Sequence, residues 1–438
     1  MPANIKKFTE DYRVLQVLND LEGEAYKNAT YSDIIDDEGN QYVDLVLEGG
    51  GVLGMALIGY IYILERMNIR FMGLGGTSAG SIVTLLMACG KMNEAKSEWI
   101  IYELSKLDFN EFLDFHNGDR DEKILVQLLE KNTRKMKKIF NILCLLDNII
   151  DGYDRKGLVK GDAFKSWLQK IISEKGVKSV KDIKEIRNFK PKGLRKREDS
   201  NTKIKFEFDE KCQRIAIIAA DITTESKIEF PRMAHLYWKD PDKINPVEFV
   251  RASMSIPMLF NPYEIKDIEH NPDIWKKWGK EVNYRGRIPD KVFFVDGGII
   301  SNFPINVFHK STGMPSRPTF GVKLGEDRDG INEVRSLVNL LTATFNTARH
   351  SLDNDYIFNN SDYNQIVTYI NTNKFNWLNF DMSEDEKVDL FAEGALAAGN
   401  FLKRFSWVKY KQMREALADL NDKEKPAAGE PAKPKSFE

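Results

Sequence analysis

Residues 45–64 read LVLEGGGVLGMALIGYIYIL. Leucine and valine lead into three glycines, and an apolar run follows. That order predicts a buried strand, a glycine turn and a helix with almost no polar face at its start. Gly49, Gly51 and Gly54 fit the spacing G-x-G-x-x-G, the fingerprint of a dinucleotide-binding turn. That chemistry also needs an acid closing the next strand, about 20 residues on, to hold a ribose. The next strand, "IRFMGLGG", has none and runs on toward Ser78, and Glu65 falls inside the preceding helix. No Walker A pattern appears in either glycine turn. The first turn therefore reads as backbone N–H groups at a helix start, which suit any anion.

The second turn is Gly76-Thr77-Ser78-Ala79-Gly80, G-x-S-x-G between a predicted strand and a predicted helix. This is the context of a nucleophile elbow, where Gly76 and Gly80 are small because the turn is tight. A serine nucleophile needs a base. The five histidines, His116, His235, His270, His309 and His350, sit in no evident motif. Asp296 ends the apolar strand "KVFFVD" and is followed by Gly297 and Gly298. At the C-terminal edge of a parallel sheet it would share an edge with Ser78. The plainer reading is an Asp-Gly turn. The N–H groups of Gly49, Gly50 and Gly51 would suit an oxyanion.

In this order, "EGGGVLG", "GTSAG" and "DGG" resemble the three signature blocks of patatin-like phospholipases, lipid acyl hydrolases with a Ser–Asp dyad and no histidine. "AADITT", "VRASMSIPMLFNP", "VDGGIISNFPI" and "FDMSEDEKVDLFAEGALAAGNFL" resemble further blocks, so the likeness covers roughly residues 42–405. It implies Ser78 as nucleophile, Asp296 as base, and Gly50 and Gly51 as oxyanion donors with Gly49 beside them. It also implies a three-layer α/β fold, a mostly parallel central sheet with helices on both faces. No metal and no cofactor is expected. One position departs from the pattern: where such proteins often carry Lys or Arg, this chain has Leu53.

Composition agrees with a cored enzyme. Of 438 residues 42% are apolar, and 64 Lys and Arg against 66 Asp and Glu leave a formal charge of -2, which gives no argument for nucleic acid. Cys89, Cys144 and Cys212 are widely spaced and form no C-x-x-C pair, which suits a reduced compartment. The first residues lack the apolar core of a signal peptide, and no apolar run reaches the ~20 residues of a membrane span. The expectation is a cytoplasmic protein, peripheral at membranes when active, with export by a route lacking a Sec leader as the alternative.

Residues 1–40 read as an N-terminal extension and 41–416 as the catalytic domain. Insertions are expected at about 91–212, largely helical and then charged, and at 264–290. Residues 331–350 and 384–416 read as helical, and 417–438 as a disordered tail. The stretch "KIFNILCLL" and the pair Trp275 and Trp278 are candidates for lipid contact, although packing on the domain is the simpler reading. The basic cluster from Lys190 to Arg197 reads as a solvated face. The expected partner is a membrane lipid substrate, with a regulatory partner or activator as a further expectation. Three rivals remain: a Ser78–Asp296–His triad using His309 or His350, a dinucleotide-binding protein, and a catalytically silent lipid-binding effector. Glu48 stands where the triad enzymes usually carry a histidine before the first glycine turn.

Overall fold

A computed structural model describes residues 5–115, 157–198, 206–310, 313–325 and 362–424, with 334, 343–344, 347–348 and 360 besides. A ten-stranded sheet organises them. Its eight longer strands are β1 (Gln41–Leu47), β2 (Ile69–Thr77), β3 (Ile215–Asp221), β4 (Ser226–Phe230), β5 (Tyr263–Lys266), β6 (Lys291–Asp296), β7 (Thr319–Leu324) and β8 (Val367–Ile370). The order runs β8-β7-β1-β2-β3-β6-β5, with β4 also on β3. Strands β8, β7, β1, β2 and β3 pair in parallel. The flank is antiparallel: β6 pairs that way with β3 and β5, and β4 with β3.

Strand β1 is buried along its whole length, as a central parallel strand should be. Its one carboxylate, Asp44, sits where the register with β2 slips between Val43 and Leu45. Its Oδ1 accepts the Gly73 N–H at 2.8 Å and the Arg317 Nε–H at 2.8 Å. The buried charge is thus paired, and the backbone donor has an acceptor.

The helices of seven residues or more are α1 (Tyr12–Leu21), α2 (Gly54–Arg66), α3 (Ala79–Ala88), α4 (Ser97–Ser105), α5 (Asp162–Glu174), α6 (Val180–Arg187), α7 (Val247–Ser253), α8 (Pro272–Val282), α9 (Glu384–Arg404) and α10 (Trp407–Glu424). Helices α2 and α9 cross at backbone contact: a Cβ on Gly59 would lie 1.9 Å from the Phe391 carbonyl oxygen, and one on Gly394 1.9 Å from that of Ala56. An alanine at either place would force the pair apart.

Several sequence expectations change here. The first forty residues supply Phe8, Val14, Val17 and Leu21 to the main core, and Phe8 meets Phe391 edge-on. Helix α10 continues through Glu424, past residue 417. The region 91–175 holds α4 and α5, with the short strand Gly157–Val159 between them. "KIFNILCLL" and Cys144 lie outside the described residues, as does most of 331–350. Within the basic cluster, Arg195–Lys196 forms a strand paired with Ile34–Ile35. The Trp pair splits: Trp278 is buried against Tyr237 and Tyr284, whereas Trp275 is 46% exposed. Among the described residues no helix is long and apolar enough to cross a membrane.

Candidate active site

Strand β2 ends at Thr77, and Ser78 follows with φ 52° and ψ -122°. A non-glycine residue with positive φ at the head of a helix is a strained turn held by its surroundings. The surroundings are visible: a Cβ on Gly76 would lie 2.3 Å from the Gly80 carbonyl oxygen, and one on Gly80 2.3 Å from that of Leu47. The two flanking glycines are small because each passes against backbone. Ser78 is 5% exposed, at the first turn of α3.

Asp296 reaches the same place from the opposite direction. One edge of β3 is shared by two strands. Thr77 of β2 pairs with Ile218, and Asp296 of β6 pairs with Ala219, the next residue along. The other edge of β3 is taken by β4 throughout this stretch. Strand β2 runs with β3 and β6 runs against it, so their C-terminal ends abut, with Ser78 and Asp296 at the junction. The expected parallel alignment of the Asp296 strand is therefore corrected: the junction comes from two strands meeting end to end. The fit is close, since a Cβ on Gly297 would lie 3.0 Å from Thr77 Cγ2 and 2.1 Å from the Ile218 carbonyl oxygen. Asp296 is buried, and its Oδ1 accepts the Gly298 N–H at 2.7 Å.

The first glycine turn completes the cluster. A Cβ on Gly49 would lie 2.9 Å from Ser78 Cβ. The Gly49 N–H donates to the Asn302 carbonyl at 3.2 Å, and Asn302 Nδ2 donates back to the Gly49 carbonyl at 3.2 Å. Asn302 thereby ties the glycine turn to the loop after Asp296. The N–H groups of Gly50 and Gly51 have no protein acceptor among the described residues. Gly51 has φ 57°, and a Cβ there would strike the Trp377 carbonyl oxygen. Leu53 is buried in the core, so the position that often carries a cation is apolar inside as well as in sequence. Glu48, before the turn, accepts the Leu324 N–H at 2.6 Å and pairs with buried Lys323 at 3.2 Å.

A second clamp was not evident from sequence. The Ser253 hydroxyl, at the end of α7, accepts the Ser78 N–H at 3.0 Å and donates to the Ile218 carbonyl at 2.6 Å. The Ser253 carbonyl accepts the Gly297 N–H at 3.2 Å, and that of Ser255 the Asp296 N–H at 2.8 Å. Arg251 then fixes Ser255 through its hydroxyl at 2.6 Å. The segment "RASMS" grips both candidate catalytic residues by backbone. Its sequence signal was its place in the block "VRASMSIPMLFNP", which marks the segment but not the hydrogen bonds of Ser253 and Ser255.

A cavity of about 50 Å³ opens on Ser78, lined by Gly51, Val52, Ile82, Met254, Ile256 and five phenylalanines, Phe109, Phe112, Phe164, Phe260 and Phe380. Its lining suits a hydrocarbon chain. No histidine lines it. His235 pairs with Glu281 and His270 with Asp290. His309 Nε2 lies 2.6 Å from Asp362 Oδ2 and faces a different cleft. His116 and His350 lie outside the described residues. Among the described residues no group of three or more His, Cys, Asp or Glu converges as a metal site.

Comparison with known proteins identifies the family. The family model described as patatin-like phospholipase matches residues 45–309, a span from the glycine turn past Asp296. An uncharacterized Bacillus subtilis protein, YqhO, is 26% identical over 368 residues, 84% of this chain and all of its own length. Two solved structures are more remotely similar, each at 14% identity. VipD from Legionella pneumophila has a TM-score of 0.39 over 89% of this chain and 72% of its own. The heterodimeric ExoU–SpcU complex of the Pseudomonas aeruginosa type III secretion system has a TM-score of 0.34 over 85% of this chain and 52% of its own. On the strength of the family model, which spans more than half of it, the chain belongs to the patatin-like phospholipase family.

Proposed function

We propose that the protein is a lipid acyl hydrolase of the phospholipase A type, with Ser78 as nucleophile, Asp296 as base, and Gly50 and Gly51 as oxyanion donors. The observation that supports this most is the junction on β3, where two strand ends set Ser78 and Asp296 on adjacent positions beside unspent backbone N–H groups. Gly49 serves the same hole from behind, by holding the loop to Asn302.

In this reading the Asp296 carboxylate takes the Ser78 proton as Oγ attacks the ester carbonyl. The carbonyl oxygen becomes an oxyanion and accepts from Gly50 and Gly51. Such donors are aimed at charge that develops only in the transition state, and one of them is typically worth a hundredfold or more in rate. Collapse breaks the ester C–O bond, and the departing alkoxide takes the proton from Asp296. An acyl-serine and a free alcohol or lysolipid result. Water then gives its proton to Asp296 and attacks the acyl-serine. The fatty acid leaves, and the proton returns to Ser78.

A slot of about 50 Å³ is far below the ~300–1,000 Å³ of a typical ligand site, so the phenylalanines must part before an acyl chain enters. The substrate membrane, or an activating partner, supplies that opening. The working location is the cytoplasmic side of a membrane, held peripherally.

The test compares lipid extracts of phospholipid vesicles incubated with wild type and with Ser78→Ala. Release of fatty acid and lysolipid by wild type alone is the expected result. Equal release by the folded variant would remove Ser78 from the mechanism.

A further inference from the structure

The bulkiest fully buried charged side chain among the described residues is that of Arg187, the last residue of α6. It is 1% exposed. Its guanidinium donates to the carbonyls of Phe71 and Met72, and its Nε has no partner. Among the described residues no carboxylate forms an ion pair with it. Asp44 is the carboxylate whose charge acts on it, and Asp44 is already engaged by Arg317. Burial pulls the Arg187 guanidinium down to about 10. A buried cation without a counterion is costly.

Arg187 also contributes to the wall of a cleft of about 680 Å³ between α6 and β3, although two of its guanidinium nitrogens donate to the Phe71 and Met72 carbonyls outside that lining. That volume is within the range of small-molecule sites. The floor is apolar, made by Leu85, Val180, Ile183, Ile215, Ile217 and Phe249. The polar part of the lining is basic: Lys181, Lys184, Arg187, Lys211, Arg214 and Arg232 against Glu185 and Glu210. Lys181 pairs with Glu185, and three acids just outside the lining pair with the others: Asp242 with Lys184, Glu229 with Arg214 and Arg232, and Glu281 with Arg232. Counting those three as well, six cations face five acids, and Lys211 and Arg187 are the cations without a carboxylate partner among the described residues.

We propose that this cleft is a second ligand site, separate from the Ser78 slot, that holds a long-chain carboxylate with its chain on the apolar floor and its head among the basic groups. The physical case needs both halves. An apolar floor favours hydrocarbon in proportion to the apolar area it covers. An excess of positive charge beside a low-dielectric wall selects an anion over a neutral chain. The choice of a fatty acid among anionic amphiphiles rests on the proposed reaction, of which it is the product. Leu85 lies on α3, the helix that Ser78 opens, so a ligand here would press on the element that positions the nucleophile.

The experiment uses the full chain carrying Ser78→Ala and a photoreactive palmitic acid analogue below its micellar concentration. Adducts are located by peptide mass spectrometry. Labelling is expected within residues 180–188 and 210–217, competed by palmitate but not by hexadecanol. The surface charge reversal Lys181→Glu/Lys184→Glu/Arg232→Glu should lower that labelling at least fivefold. Labelling of the peptide with Phe109 and Phe112 should stay within twofold. Adducts confined to the Ser78 slot, equal competition by hexadecanol, or labelling indifferent to the charge reversal would each overturn the proposal. Turnover does not enter the readout. The proposed hydrolase reading therefore stands or falls separately, on the vesicle assay with wild type.

Discussion

At the junction of β2 and β6, buried polar groups are held by their neighbours while part of their capacity stays unspent. Ser78 and Asp296 are fixed through backbone N–H groups by Ser253, Ser255 and Gly298, and the N–H groups of Gly50 and Gly51 await an acceptor. Toward the N-terminal ends of β3 and β7, another buried cluster spends its carboxylate and most of its donors on itself, although His309 Nδ1 and Arg414 Nε have no partner among the described residues. Asp362 accepts from His309 Nε2 at 2.6 Å and from Arg414 Nη1 at 2.6 Å, and Arg414 Nη2 donates to the carbonyls of Lys310 and Gly313. The second cluster contains the histidine, carboxylate and arginine that look catalytic in a residue inventory. The first contains a serine, a carboxylate and glycines. Both clusters keep some unspent hydrogen-bonding capacity; what sets the first apart is that its free backbone donors lie beside a serine hydroxyl and an apolar slot, whereas the carboxylate of the second is closed in ion pairs with His309 and Arg414.

The widest separation should come from swapping a carboxylate for its amide in each cluster. Asp296→Asn should abolish ester hydrolysis, by at least a thousandfold, and shift the melting temperature little. Asp362→Asn should do the reverse: turnover per folded molecule within about threefold, and a stability loss of about 3–5 kcal/mol, as for breaking a buried pair. Burial alone would push the Asp362 carboxyl up, but hydrogen bonds and charge from His309 and Arg414 outweigh it and hold it below the usual range. A depressed carboxylate contributes stability above its unfolded value, near 4, and loses it as pH falls through the folded value. The stability gap between wild type and Asp362→Asn should therefore narrow below about pH 4. Loss of turnover in His309→Gln beyond its loss of folded protein would revive a histidine triad and overturn this division.

Much of the first cluster was legible in the chain. G-x-S-x-G between strand and helix, a glycine turn after a buried strand, and Asp-Gly-Gly after another each predict local backbone from local sequence. The direction of β6 was not legible, because pairing is decided by which edge of β3 is open, not by residues within "KVFFVD". Ser253 and Asn302 were missed for a related reason. Each acts across more than 170 residues of chain through a hydrogen bond, and a lone Ser or Asn carries no period. Trp278 was read beside Trp275 as one pair, yet the buried face of the helix is set by Ile274 and Trp278, four residues apart, and Trp275 lies at its margin.

Ser253 offers a smaller effect that tests whether the first cluster depends on its clamp. Ser253→Ala leaves the Ser78 N–H and the Ile218 carbonyl without their shared partner, at about 1–3 kcal/mol. The strained turn at Ser78 should relax by a fraction of an ångström. The expected outcome is a kcat lower by ten- to a hundredfold with KM within twofold, in line with the cost of misplacing a reacting group. Ser253→Thr, which keeps the hydroxyl, should recover most of it. A fall in stability with kcat unchanged would mean that Ser253 braces the fold without positioning the nucleophile.

The smallest effect concerns a buried cation far from both clusters, and it checks that spent groups report on stability alone. Lys96 is 7% exposed, and its Nζ donates to the carbonyls of Lys91 at 2.7 Å and Glu94 at 2.8 Å. Burial pulls it down to about 8, against a partial upward pull from Glu65. A base lowered on folding binds fewer protons in the native state than in the unfolded one between about pH 8 and its ordinary value near 10.5. The unfolding free energy should therefore rise with pH in that window, with a limiting slope of roughly 1.4 kcal/mol per unit. Lys96→Met should lose that slope, which urea unfolding at pH 7.5, 8.5 and 9.5 would measure. Hydrolysis normalised to folded enzyme should keep the wild-type pH profile. A changed profile would show that this region couples to Ser78, and the line between braces and site would then have to be drawn further out along α4.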